Sequence, residues 1–188
     1  MGRIIVSDNV SIDGVFQDPA GDEGFARGGW VGAIKDRPEL SQLALEDAMG
    51  SDALLMGRRT YEWFAGRWPS RNGALADRLN GMPKYLVAST LTHPAWNNTT
   101  VLTGDLLAEV TRIKAQISRD ILVTASSGIA HSLLEHDLVD ELRLKVFPVV
   151  LGAGRPLFGG TSGMKRMRLL DAKCIDGDTA YLVYQRRD

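Results

Sequence analysis

The chain has 188 residues, 44% hydrophobic and 24% charged, which fits a globular protein forming one domain over residues 1–188. Its 22 basic and 23 acidic residues leave a net charge of −1, so no basic field points to nucleic acid as a partner. Cys174 is the only cysteine, which excludes an intrachain disulfide, and no Cys/His spacing suggests a metal; a cytoplasmic protein with no membrane span or signal peptide is expected.

Arg3 to Val10 is β-branched and apolar and reads as a buried first strand, closed by Ser11-Ile12-Asp13-Gly14. A long polar, Gly-rich stretch runs from there to about Pro38. Loops of this length within a domain are uncommon and often functional, and its embedded Phe16, Phe25, Trp30 and Val31 argue against disorder. Glu39 to Met49 carries apolar residues at helical spacing, with Gly50 as its cap. Then comes DALLMGRRTYE, residues 52–62: an apolar strand stops at Gly57 and turns into a helix that begins with Arg58, Arg59 and Thr60 and runs to Pro69. Such a turn lets backbone approach a ligand closely and offers free N–H groups to an anion.

Ala74 to Leu79 is a short helical piece, Lys84 to Ala88 a strand ending at Ser89-Thr90, and Thr99 to Leu102 another strand. Asp105 caps a helix bearing Leu106, Val110, Ile113 and Ile117. Asp120 to Thr124 is a buried strand, followed by Ser126-Ser127-Gly128 opening a helix with Ile129, Leu133 and Leu134. Val139 to Val150 reads as a long strand interrupted by Pro148, with a loop after it from Leu151 to Gly163. Met167 to Ile175 and Thr179 to Gln185 form a hairpin.

Strands alternating with helices define an α/β protein with a mostly parallel, doubly covered sheet that ends antiparallel. Ligands bind at the carboxyl ends of such strands. The junctions at Gly57–Thr60, Ser89-Thr90 and Ser126–Gly128 therefore share the edge expected of a site. Neither GxGxxG after the first strand nor GxxxxGK[ST] is present, and Gly152-Ala153-Gly154 reads as a loop. Arg58 and Arg59 have two readings: a phosphate-binding pair, or an exposed pair bridged to carboxylates such as Glu62. Cations at a helix N-terminus need a compensating anion, which favours the first.

Ser11-Ile12-Asp13-Gly14, Leu55 to Glu62, Val87 to Leu91, and Leu138 to Leu142 with Pro148 to Gly152 together resemble the dihydrofolate reductase-like superfamily. The resemblance is to the branch of the reductase domain of the bifunctional riboflavin-biosynthesis deaminase–reductase, and it covers the chain in order. It implies a mostly parallel central sheet flanked by helices, a C-terminal antiparallel hairpin, and a homodimer contacting through Val146 to Leu157 and the hairpin. It also implies an NADPH site: Gly57, Arg58, Arg59, Thr60, Ser89 and Thr90 around the 2′-phosphate and pyrophosphate; Ser126, Ser127, Gly128 and Ile129 at the pyrophosphate; and Asn9, Ile12 and Gly14 in the loop over nicotinamide. A small-molecule substrate is then expected to accept hydride at a C=N or C=O, as in 5-amino-6-(5-phosphoribosylamino)uracil reductases. Asp13 is the candidate for proton relay or substrate orientation, or braces its turn; Trp30, Tyr61 and Phe158 are candidates for the substrate wall.

Three departures stand out. The family's Gly-rich turn is Ala125-Ser126-Ser127 here, Ser41 lies where folate reductases place an acid, and Ser7 stands where the riboflavin reductases carry a lysine. The departures at Ala125 and Ser41 motivate the alternative of a non-catalytic nucleotide-binding or interaction protein that keeps the fold.

Overall fold

The computed structural model describes residues 1–34 and 36–187. Its centre is an eight-stranded sheet in the order β4-β3-β2-β5-β1-β6-β8-β7. The strands are β1 (Arg3–Ser11), β2 (Ser51–Gly57), β3 (Lys84–Val87), β4 (Thr99–Leu102), β5 (Asp120–Val123), β6 (Glu141–Phe147), β7 (Met167–Ile175) and β8 (Thr179–Arg186). From β4 to β6 all neighbours are parallel; β8 runs antiparallel to both β6 and β7. The expected mostly parallel sheet with a terminal hairpin is therefore the architecture of this protein.

Five helices cover the two faces: α1 (Pro38–Gly50), α2 (Arg58–Ala65), α3 (Ala74–Gly81), α4 (Leu106–Gln116) and α5 (Ser127–Glu135). Side chains alternate along a strand, so Leu54 and Met56 of β2 pack with α1, α2 and α3 while Leu55 packs with α4 and α5. Both faces of β1 are covered, and Ile4, Ile5 and Val6 are wholly buried. Parallel strands covered on both faces read as continuous apolar runs, which is the sequence pattern of β1, β2 and β5.

The long loop between β1 and α1 is ordered by its own residues. Val15, Trp30, Phe147 and Leu151 form a core cluster with Phe25 packed against it, and Trp30 meets Phe147 edge to face at 5.5 Å. The loop after β6 closes on the β1 turn: Phe16 N–H donates to Arg155 O, and Leu157 N–H to Gly14 O.

Three elements differ from their sequence pattern. β6 ends at Phe147 instead of continuing to Val150, because Pro148 has no N–H to give the ladder. α2 ends at Ala65, and Trp68 lies in the turn that follows rather than in the helix. α1 starts at Pro38 without a capping side chain of its own. Asp176 in the β7–β8 turn takes that role, accepting from Glu39 N and Leu40 N at 3.0 Å each.

Candidate functional site

At the carboxyl edge of the sheet, the turns after β2 and β5 are bonded to each other. Gly57 N–H donates to Ser126 Oγ at 3.2 Å, Ser126 Oγ to Thr60 Oγ1 at 2.8 Å, and Thr60 Oγ1 to Ala125 O at 2.5 Å. The serine and threonine are thereby used up in joining the turns, and neither caps a helix. α2 and α5 consequently begin side by side with no side-chain cap, and neither has an acid in its first turn. Their first backbone N–H groups and their dipoles favour an anion at this edge.

Arg58 and Arg59 are exposed beside these N-termini. Arg58 donates to Thr90 Oγ1 at 2.6 Å and pairs with Glu62 at 2.7 Å, the carboxylate bridge that the second sequence reading named. Arg59 has no ion pair or side-chain hydrogen bond among the described residues. Ser89 is exposed at the end of β3, beside Thr90. A Cβ on Gly57 would meet nothing closer than Ile129 Cγ1 at 3.6 Å, and one on Gly128 nothing within 4 Å. Packing within the protein therefore does not demand glycine at either place.

Ala125 sits in the left-handed region at φ +53°, a conformation that costs a non-glycine residue about 1 kcal/mol. Asp8 pins it: Ala125 N–H donates to Asp8 Oδ1 at 2.7 Å. Asp8 is 4% exposed, and its Oδ2 has no partner among the described residues. Burial pushes its carboxyl up to about 7, against the pull of the Ala125 N–H and the Lys145 charge.

Asp13, a candidate for proton relay, for substrate orientation or as a brace of its turn, makes the contacts of the brace. It is exposed, accepts from Ser11 Oγ at 2.6 Å, and holds Leu151 N and Gly152 N at 3.0 and 2.6 Å. These bonds, the Ser11 hydroxyl first, hold its carboxyl down to about 2. Such a carboxylate carries no proton at neutral pH; it braces the β1 turn against the loop after β6. Ile12 projects from the same turn at 61% exposure, with Asn9 half-buried behind it and Gly14 at φ +76°. Trp30 and Tyr61, considered for the substrate wall, are core residues. Trp30 Nε1 donates to Gln17 O, and the Tyr61 hydroxyl accepts from Trp96 N. Phe158 is half-buried against Val10, Phe16 and Leu157.

On the other face of β1 and β6 lies a charged cluster that the sequence reading passed over. Asp47 of α1, 3% exposed, accepts from Ser7 Oγ at 2.5 Å and Arg143 Nη1 at 2.6 Å, and lies 3.4 Å from Lys145 Nζ. Burial alone would raise the Asp47 carboxyl; Lys145, Ser7 and Arg143 together hold it below the usual range. Lys145 Nζ also donates to Ser7 Oγ. Thus an ammonium reaches Ser7 from the neighbouring strand. The signal was available in β6, where Glu141, Arg143 and Lys145 alternate with apolar residues and so share one face. A cavity of about 110 Å³ opens here between the sheet and α1, α2 and α3. A larger groove of about 210 Å³, beside Met164 and Arg186, lies at the start of β6, away from the turns after β2 and β5.

This sheet order, mostly parallel with a closing antiparallel hairpin, is a dihydrofolate reductase-like fold. Over residues 3–181 the sequence matches the RibD C-terminal domain family, and the chain belongs to that family. It is 23% identical over 138 residues to the uncharacterized protein YyaP of Bacillus subtilis (strain 168), covering 71% of this chain and 73% of that one. The fold is similar to that of a putative riboflavin biosynthesis protein from Shewanella sp. PV-4, with a TM-score of 0.80 at 19% identity and 99% of each chain covered. It is also similar to dihydrofolate reductase from Enterococcus faecalis complexed with NADP(H), with a TM-score of 0.62 at 14% identity, 99% of this chain and 97% of that one being covered. Family and fold together support a reductase-type function. No helix of the described residues is long and apolar enough to cross a membrane.

Proposed function

We propose that this protein is an NADPH-dependent reductase acting on a small, flat substrate with a C=N or C=O bond. The observation that carries this reading is the pair of adjacent, uncapped helix N-termini at α2 and α5, with Arg58 and Arg59 beside them. The two termini suit the pyrophosphate, and Arg58, Arg59, Ser89 and Thr90 suit the 2′-phosphate. When bound, reduced nicotinamide supplies the hydride. The chain's contribution is to hold the phosphates, set the turn from Asn9 to Gly14 over the reacting ring, and exclude water.

Arg58→Ala tests this. Removing one charge-assisted contact weakens NADPH binding by about tenfold or more, and weakens NADH binding less. Fluorescence titration of NADPH reads both affinities. Failure of wild-type protein to bind NADPH at millimolar concentration overturns the proposal.

A non-catalytic nucleotide-binding protein is the competing reading, favoured by the ionised state of Asp13, which leaves that turn without a proton donor. NADPH binding without oxidation across a panel of pterins, pyrimidines and aldehydes supports it.

A further inference from the structure

The groove of about 210 Å³ at the start of β6 lies beside the C-terminal end of α5. Its apolar lining comes from Leu134 and Val139, both buried, from half-buried Met167, and from Met164, which is exposed. Its charged lining is Lys165, Arg166, Arg186 and Arg187 with Asp137. In the sequence the four cations form two pairs with all of β7 and β8 between them. The ladder of that hairpin joins the pairs: Met167 is the partner of Arg186, and Arg187 N–H donates to Arg166 O at 3.0 Å.

Four cations thus share this groove with one carboxylate, in a chain whose net charge is −1. Lys165 is already engaged. Its Nζ donates to Glu135 O at 2.6 Å and lies 3.1 and 3.2 Å from the two Asp137 oxygens. It neutralises that carboxylate and the negative C-terminal end of α5 together. The Glu135 carboxylate does not line the groove and accepts from Ser162 N at 3.0 Å. Arg166, Arg186 and Arg187 are exposed, and their guanidinium groups have no ion pair or hydrogen bond among the described residues. One exposed arginine is satisfied by water. Three gathered around an apolar recess repel one another, and an anion set among them relieves that repulsion.

We propose that this groove binds a small phosphorylated molecule with an apolar body, its phosphate held by Arg166, Arg186 and Arg187 and its body laid on Leu134, Val139 and Met167. Guanidinium forks match phosphate oxygens geometrically, and a phosphate offers three such oxygens to three arginines where a carboxylate offers two. The volume of about 210 Å³ exceeds that of an engineered cavity, roughly 150 Å³, that takes a benzene ring. One ring or a short acyl chain is therefore the scale of the apolar body. The occupant is not the nucleotide of the reductase reading, because the edge proposed for that ligand lies at the N-terminus of α5 and this groove at its C-terminal end. The inference goes beyond that reading and does not rest on it.

Phenyl phosphate is a suitable probe, with inorganic phosphate as the same head without the body. At pH about 8 the ester is a dianion, since its second proton leaves near pH 6. Amide chemical shifts followed by NMR read the two ends of α5 separately: Val139, Met167 and Arg187 report on the groove, Gly57 and Gly128 on the opposite edge. Phenyl phosphate is expected to shift the groove amides to saturation, with inorganic phosphate several-fold weaker there. Arg186→Gln and Arg187→Gln, both at exposed positions, each weaken the binding read at those amides by about tenfold. Groove amides that stay still at millimolar phenyl phosphate, shifts confined to Gly57 and Gly128, or an affinity indifferent to both substitutions overturn the inference. Inorganic phosphate binding as tightly as the ester overturns the apolar body and with it the class of ligand. NADPH titrated on the same proteins is expected to bind the two variants as it binds the wild type. Its failure to bind any of them, with the groove occupied as stated, overturns only the reductase reading.

Discussion

Asp8 places a carboxylate in the middle of a buried strand with one oxygen unpartnered among the described residues. A free aspartate titrates near 4, whereas burial sets this one at about 7. Between those two values the folded state binds a proton that the unfolded chain has released. Stability from this group is therefore fully present below about pH 4 and is lost as pH rises through about 7. Asp8→Asn keeps an acceptor for the Ala125 N–H and removes the buried charge. The variant is expected to gain on wild type as pH rises, by up to ~4 kcal/mol at pH 8, with little difference near pH 4. Thermal unfolding of both proteins across that range checks it, and a difference that does not grow with pH removes the buried charge as its cause. The same residue holds Ala125 in its left-handed conformation, so its replacement also probes how firmly the turn after β5 is set.

The loop from β1 to α1 is built around a different aspartate. Asp18, 1% exposed, accepts from Gly21, Asp22 and Glu23 N at Oδ1 and from Phe25 N at Oδ2, at 2.8 to 3.1 Å. A Cβ on Gly28 would lie 2.3 Å from Asp18 Oδ2, which explains the glycine there. Asp18→Ala is expected to raise hydrogen exchange at those four amides by roughly tenfold or more while leaving the β1 ladder protected. Equal protection in the variant means that the apolar anchors Phe25 and Trp30 order the loop without it. The apolar anchors were legible in the sequence, as were β2, β5 and their junctions, because buried strands and strand–helix turns are local patterns. Asp18 as an organiser was not, since Asp-Pro reads only as a turn. The Ser7–Asp47–Lys145 cluster was harder still. Its members come from β1, α1 and β6, 40 and 138 positions from Ser7, and only the register of β1 against β6 brings them together. The α1 cap at Asp176 was hidden for the same reason.

For the whole molecule, the sheet order separates two ends with different demands. β4, at one end, has four residues. β7, at the other, has nine and is exposed over most of its length, with Leu169 and Leu170 at 51% and 48% exposure and Met164 at 84% just before it. A long edge strand with exposed leucines invites pairing with another chain, although the register shift between Leu169 and Asp171 limits how far a continuous ladder can extend. We expect self-association through the β7–β8 hairpin, giving a particle of twice the 20.5 kDa chain by light scattering. Leu170→Glu places a charge in that contact and is expected to yield the monomer with an unchanged circular dichroism spectrum. A monomeric wild type, or a dimer indifferent to the substitution, rules out this interface. Because β7 lies four strands from β5 and five from β2 in the sheet order, an interface there leaves the edge proposed for the nucleotide open in each copy. The monomeric variant should therefore bind NADPH as tightly as the wild type, which separates assembly from the site.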